Sequence, residues 1–208
     1  MKTGLSTWLF LARPAAITLA LMAPIAAQAQ FSDNYNFLKA VKDADGQKAT
    51  DLLQKPGSTV VNSRDVNSGE TALHIVIARR DNSWLTFMLA KGANPNLADN
   101  NGTTPLLLAV QNRFEEGVRT LLTHNAQVDK TNGSGETPLI RAVQLRDIGI
   151  VRLLVAQGAN PDKRDTIAGM SARDYAQRDN RTPGLIDALD SAKASSAAPK
   201  GPVQGPVF

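Results

Sequence analysis

The residues that could carry chemistry in this chain are few, and their spacing does not support a catalytic or metal centre. The 208 residues include two histidines, His74 and His124, and no cysteine. A zinc site needs several ligands at short spacings, and neither histidine has such neighbours. The chain also has no Gly-x-Ser-x-Gly nucleophile motif and no phosphate-binding glycine loop. We therefore expect no enzyme activity, no metal and no cofactor, which leaves a cryptic enzyme or metal-binding protein as the weakest alternative.

One set of charged side chains recurs at a fixed step. Arg80, Arg113 and Arg146 are each separated by 33 residues. A guanidinium can hold a carboxylate through two parallel hydrogen bonds, so this row is a candidate anion ladder for a partner. The favoured interpretation is structural, because a cation near the C-terminal end of a short helix stabilises that helix.

The same step organises the elements around these arginines. Three segments begin with Gly-x-Thr and reach Leu at the fifth position, and three alanines follow residues suited to a left-handed backbone. The segments start at Gly69, Gly102 and Gly135, and the alanines are Ala93, Ala126 and Ala159. A fixed period of 33 residues indicates a stacked array of units that bury their apolar faces against one another.

Each unit is predicted to contain two short helices and a hairpin. In the unit that begins at Gly102, Pro105 suits the first turn of a helix. A second apolar stretch through Leu121 and Leu122 predicts another helix, which ends where Asn125 can take a positive φ. Residues 128–134 are rich in turn formers and predict a hairpin before the next unit.

Three copies of one motif resemble the opening of ankyrin repeats. Residues 69–74 read Gly-Glu-Thr-Ala-Leu-His, and residues 102–107 and 135–140 keep the proline of that opening but replace its histidine. The closing segments at 92–96 and 158–162 match as well. The resemblance implies an all-α ankyrin-repeat solenoid of helix-turn-helix units with projecting β-turn hairpins. It also implies that His74 hydrogen-bonds to the backbone of a neighbouring turn.

The organisation along the chain follows from this register. We predict a signal peptide, an N-terminal capping repeat, three full repeats, a C-terminal capping repeat and a disordered tail. Their ranges are 1–29, 30–65, 66–98, 99–131, 132–164, 165–190 and 191–208. Arg173 stands where the full repeats have their core leucine. Because burying a charge is costly, we expect its helix to be the solvent-facing end of the stack.

The N-terminal segment indicates export. Lys2 and Arg13 precede an apolar run over residues 15–27, and Ala27-Gln28-Ala29 has the small-x-small pattern of a signal cleavage site. The protein is then expected in the periplasm or secreted, with no stable membrane insertion after cleavage. Removing those two cations lowers the net charge from +4 to about +2, which disfavours a nucleic-acid partner. A retained anchor is the alternative.

The resemblance assigns partner binding to the concave face formed by hairpin tips and inner helices. The hairpin residues on that face would be Asn67, Ser68, Glu70, Asn100, Asn101, Thr103, Ser134 and Glu136. The inner helices would add Arg79, Gln111, Asn112, Gln144 and Leu145. We therefore expect a monomeric protein-protein interaction module. The main alternative is a structural spacer or assembly element whose C-terminal tail does the recognition.

Overall fold

The computed structural model describes the backbone of residues 22–196 and the side-chain environments of residues 32–191. Within this part of the chain there are ten α-helices and one 3₁₀ turn, Val60–Asn62, and no extended strand. The helices are α1 Met22–Lys42, α2 Gly46–Gln54, α3 Ala72–Ala78, α4 Asn82–Ala90, α5 Pro105–Gln111, α6 Glu115–Thr123, α7 Pro138–Gln144, α8 Ile148–Ala156, α9 Ala172–Arg178 and α10 Leu185–Ser196.

The helices form five antiparallel pairs, and the pairs are stacked side by side in the order in which they occur in the chain. The inner helices α1, α3, α5, α7 and α9 each pack against the next, and α4, α6, α8 and α10 form the outer row. Each of the three predicted full repeats contains one helix pair. The predicted all-α solenoid of helix-turn-helix units is therefore confirmed.

Side-chain caps explain where the short helices begin. Thr104 and Thr137 precede a proline at the first helical position, and each hydroxyl accepts the N–H three residues later. Asp81 and Asp147 cap the outer helices α4 and α8 in the same way. Such caps each contribute about 1 kcal/mol. Phe114 occupies the equivalent position before α6 and makes no cap; it is instead 4% exposed and packed in the core.

The core runs the length of the stack because every unit contributes the same positions. Leu73, Leu106 and Leu139, the repeated leucines of the inner helices, are at most 1% exposed. Burial of such a side chain contributes about 1.5 to 3 kcal/mol. In the last unit Arg173 replaces this leucine, and its side chain is 20% exposed. The guanidinium is paired with Asp162 and Asp190, at 3.1 and 2.9 Å.

The two ends of the array have features that the full repeats lack. Arg173 is largely covered rather than solvent-facing, because α10 packs over α8 and α9 and supplies Asp190. Helix α10 continues to Ser196, beyond the predicted end of the cap at residue 190, since alanine, serine and lysine are compatible with a helix. Helix α1 begins at Met22 and passes through the predicted cleavage site without a break. Residues 1–21 and 197–208 lie outside the described residues.

Candidate partner-binding face

Four hairpins project from the helix stack, and an Asp or Asn side chain organises each of them. In the second hairpin, Asp99 donates its N–H to the carbonyl of Thr103, at 2.9 Å. One carboxylate oxygen of Asp99 also accepts the N–H groups of Asn101 and Thr103, at 2.9 and 2.7 Å. The same arrangement recurs around Asp65, Asn132 and Asp165. Because these side chains accept hydrogen bonds from the backbone N–H groups of their own loops, the hairpin tips have defined shapes.

Hydrogen bonds between neighbouring tips join the hairpins into one continuous edge. The N–H of Asn100 donates to the carbonyl of Ser68 at 2.9 Å, and the N–H of Gly133 donates to that of Asn101 at 2.9 Å. The N–H of Thr166 donates to the carbonyl of Ser134 at 3.0 Å. The spacing and orientation of the tips are therefore fixed by the backbone rather than by surface side chains.

The structure brings the predicted partner-binding residues onto this edge and the adjoining inner helices. Asn67, Arg79, Asn100, Asn101 and Gln144 are exposed. The others are partly buried, and they are Ser68, Glu70, Thr103, Gln111, Asn112, Ser134, Glu136 and Leu145. No predicted position is lost to the core.

Some of these side chains are already engaged within the molecule. The guanidinium of Arg79 donates to the carbonyls of Val41 and Lys42 and lies 5.5 Å from the centre of the Trp84 ring, so it ties α3 to the N-terminal cap. Glu136 accepts from the amide of Asn132 at 3.1 Å. Such residues are held in place by the fold.

Other side chains on the face keep their hydrogen-bonding capacity. The side-chain amides of Asn67, Asn101, Gln111 and Asn112 make no hydrogen bond to another described residue. Each amide offers two donors and an acceptor. These four groups are therefore the part of the face best able to form new polar contacts.

The three arginines of the ladder span neighbouring units. Arg80 and Arg113 donate to carbonyls at the ends of the following inner helices, those of Arg113 and Leu145, at 3.0 and 2.6 Å. Arg146 donates to the carboxylate of Asp179 at 2.9 Å. All three have positive φ, between 50° and 56°, which is unfavourable for a residue with a side chain. Each guanidinium thus stabilises the C-terminal end of the next unit's helix rather than its own.

His74 has the structural role that the sequence implied. Its side chain is 1% exposed. Nδ1 accepts the N–H of Thr71 at 3.1 Å, and this leaves Nε2–H to donate to the carbonyl of Thr103 at 3.0 Å. Burial lowers the pKa of His74, so the imidazole is neutral and links two consecutive units.

The sequence did not predict one group of residues, which lies around the last inner helix, α9. Tyr175 and Gln144 line two adjacent depressions of about 410 and 230 Å³, one of which also contains Arg178 and Arg181. The Tyr175 hydroxyl donates to Asp165 at 2.7 Å, and this bond raises the pKa of the tyrosine. The repeat register could have located Tyr175 on this face. Tyr175 occupies the repeat position of Leu108 and Arg141, displaced by the one residue added to the preceding turn.

Comparison with known proteins agrees with this architecture. A family model described as ankyrin repeats (3 copies) matches residues 25–132 and 78–165, which together are more than half of the chain. No curated protein matches the chain. No helix in the part of the chain described is both long and apolar enough to cross a bilayer, and the described residues contain no cluster of three potential metal ligands.

Proposed function

Because this chain belongs to the ankyrin-repeat family, whose members generally mediate protein-protein interactions, we propose that it holds a partner protein on its concave face. The observation that carries this proposal is a set of unengaged side-chain amides on this face. Asn67 and Asn101 lie on hairpins whose backbones are bonded to one another, and Gln111 and Asn112 lie at the C-terminal end of α5. A rigid, prepositioned polar surface loses little conformational entropy when a partner binds.

The test uses three substitutions spread along the face. Asn101→Glu, Gln111→Glu and Gln144→Glu together add negative charge at partly or fully exposed positions, so the fold should be retained. Partners captured by the wild-type protein would be identified by mass spectrometry, purified and titrated against both proteins. We expect the triple variant to lose binding by about tenfold or more, as hot-spot substitutions do.

A matched control adds the same charge on the outer helices. Ser83, Thr86 and Ala156 are exposed there, and their replacement by glutamate should leave partner binding intact. If the control variant loses the partner to the same extent as the face variant, the concave face is not the binding site.

The alternative places recognition in the C-terminal tail. Because α10 extends to Ser196, the deletion that isolates the tail removes residues 197–208 and spares the helix. A partner lost on this deletion but kept by the face variant would establish the tail as the binding element and the array as a spacer.

We also propose that the protein is exported and works as a monomer in the periplasm or outside the cell. The support is the N-terminal pattern of Lys2 and Arg13, an apolar run and the Ala27-Gln28-Ala29 site. N-terminal sequencing of the protein recovered from an exporting bacterial host should begin at Gln30. A chain that keeps Met1 would contradict cleavage, and light scattering of the purified protein would test the monomer.

A further inference from the structure

The larger depression on the concave face carries an excess of positive charge. It has a volume of about 410 Å³ and lies between α7, α9 and the loop that follows α9. Three arginines, Arg146, Arg178 and Arg181, line it together with one carboxylate, Asp179. Its titratable groups therefore sum to a charge of +2, from three cations and one anion.

The single carboxylate in this depression is already fully engaged. One oxygen of Asp179 accepts from Nε of Arg146 at 2.9 Å, and the other accepts the backbone N–H of Arg181 at 2.9 Å. The Asp179 side chain is only 10% exposed. Asp179 consequently neutralises Arg146. Asp174 lies near Arg178, on the side of another depression that the two residues line.

Arg178 and Arg181 are both exposed, and neither forms an ion pair with another residue of the described segment. Among the described residues, the Arg178 guanidinium donates only to the sulfur of Met170, at 3.0 Å, and a thioether is a weak acceptor. Both arginines therefore line one depression, and neither guanidinium is held in a bidentate bond to a carboxylate of the described residues.

We propose that this depression, defined by Arg178, Arg181, Tyr175 and Gln144, receives an acidic segment of the partner protein. The proposal rests on the proposed function and assigns the partner's chemistry at one end of the face. Tyr175 and Gln144 also line the adjoining depression, but two carboxylates, Glu136 and Asp165, lie there as well. The acidic segment would therefore be confined to the larger depression. Charge complementarity selects glutamate or aspartate side chains, which match the planar fork of arginine.

The test uses the full chain and a fluorescein-labelled peptide of alternating glutamate and glycine, followed by fluorescence anisotropy. A peptide with glutamine in place of glutamate is the neutral probe. We expect the acidic probe to bind and the neutral probe to bind at least about tenfold more weakly, with affinity falling as ionic strength rises. Equal binding of the two probes, or binding of neither, would overturn the proposal.

Two double variants locate the binding. Arg178→Gln with Arg181→Gln should weaken binding of the acidic probe by roughly tenfold, with an unchanged thermal midpoint because both side chains are exposed. Arg119→Gln with Arg152→Gln removes the same charge from exposed positions of the outer helices and should leave binding intact. Equal losses in the two variants would show a response to overall charge only and would refute the assignment.

Failure here and failure of the proposed function are distinguishable. Suppose that the variant with glutamine at positions 178 and 181 keeps the natural partner, while the variant changed at Asn101, Gln111 and Gln144 loses it. The concave face then binds the partner, and the assignment of an acidic segment to this depression is wrong. If the face variant keeps the partner, the proposed function itself fails.

Discussion

Replacement of Gly102 by alanine should destabilise the protein more than the same replacement at Gly92. Both residues have positive φ, 78° at Gly102 and 87° at Gly92. A Cβ at Gly92 would meet no atom within 4 Å, whereas a Cβ at Gly102 would lie 2.7 Å from the backbone nitrogen of Gly133 in the next hairpin. The two variants thus share a conformational cost and differ in one contact between units.

The magnitude follows from that difference. An alanine forced into the left-handed region costs about 1 to 2 kcal/mol at either site. At Gly102 the neighbouring backbone must also move, which disrupts the bond from the N–H of Gly133 to the carbonyl of Asn101 and costs about 1 kcal/mol more. We expect free energies of unfolding lowered by about 1 to 2 kcal/mol for Gly92→Ala and about 2 to 3 kcal/mol for Gly102→Ala.

Urea unfolding followed by circular dichroism measures this difference. With a denaturant slope of about 1 to 3 kcal/mol/M, the midpoint of Gly102→Ala should fall below that of Gly92→Ala by about 0.3 to 1 M. Because the displaced backbone forms the hairpin edge, Gly102→Ala should also weaken partner binding, which Gly92→Ala should not. Equal midpoints would refute the reasoning that backbone contacts between tips fix the edge.

Substitutions at Arg113, His74 and Phe114 test the links between units and the packing of the core. Arg113→Ala should lower the free energy of unfolding by about 1 kcal/mol, because the hydrogen bond to the carbonyl of Leu145 is lost. Arg113→Gly should lower it less, because glycine adopts the positive φ of this position without strain. Comparing the thermal unfolding of the two variants measures that backbone strain. Stability should fall as pH drops below about 6.5, since the lowered pKa of buried His74 means that the unfolded chain binds the proton first. His74→Gln should flatten this slope, as urea titrations at several pH values would show. Phe114→Asp would supply the missing helix cap worth about 1 kcal/mol but empty a core site worth about 3 to 5 kcal/mol, so a net loss of stability is expected, and a gain in the melting temperature would contradict it.

The repeating positions were predictable because each unit places them in the same surroundings. Leu73, Leu106 and Leu139 recur at the step of the array, and all three lie in the core. The positions of the hairpin tips and inner helices could be predicted from the same register, and with them the location of the candidate face. The engagement of each side chain could not, since Arg79 reaches carbonyls 38 and 37 residues away in the chain.

The end of the array was less predictable because it departs from the period. One added residue before Gly169 shifts the last unit, and Arg173 there suggested a helix open to solvent. The length of α10 and the position of Asp190 decide its burial. The depression that contains Arg178 and Arg181 arises from the loop between α9 and α10, for which no other unit supplied a template.

The sequence by itself determined the repeated architecture, its direction and the face that it displays, because a periodic chain encodes the contacts that every unit repeats with its neighbours. The tertiary structure alone decided which polar groups on that face remain free. A hydrogen bond such as that from Arg80 to the carbonyl of Arg113, at 3.0 Å, depends on the distance between side chains of different units. That distance is set by how the units stack, and no local pattern of residues encodes it.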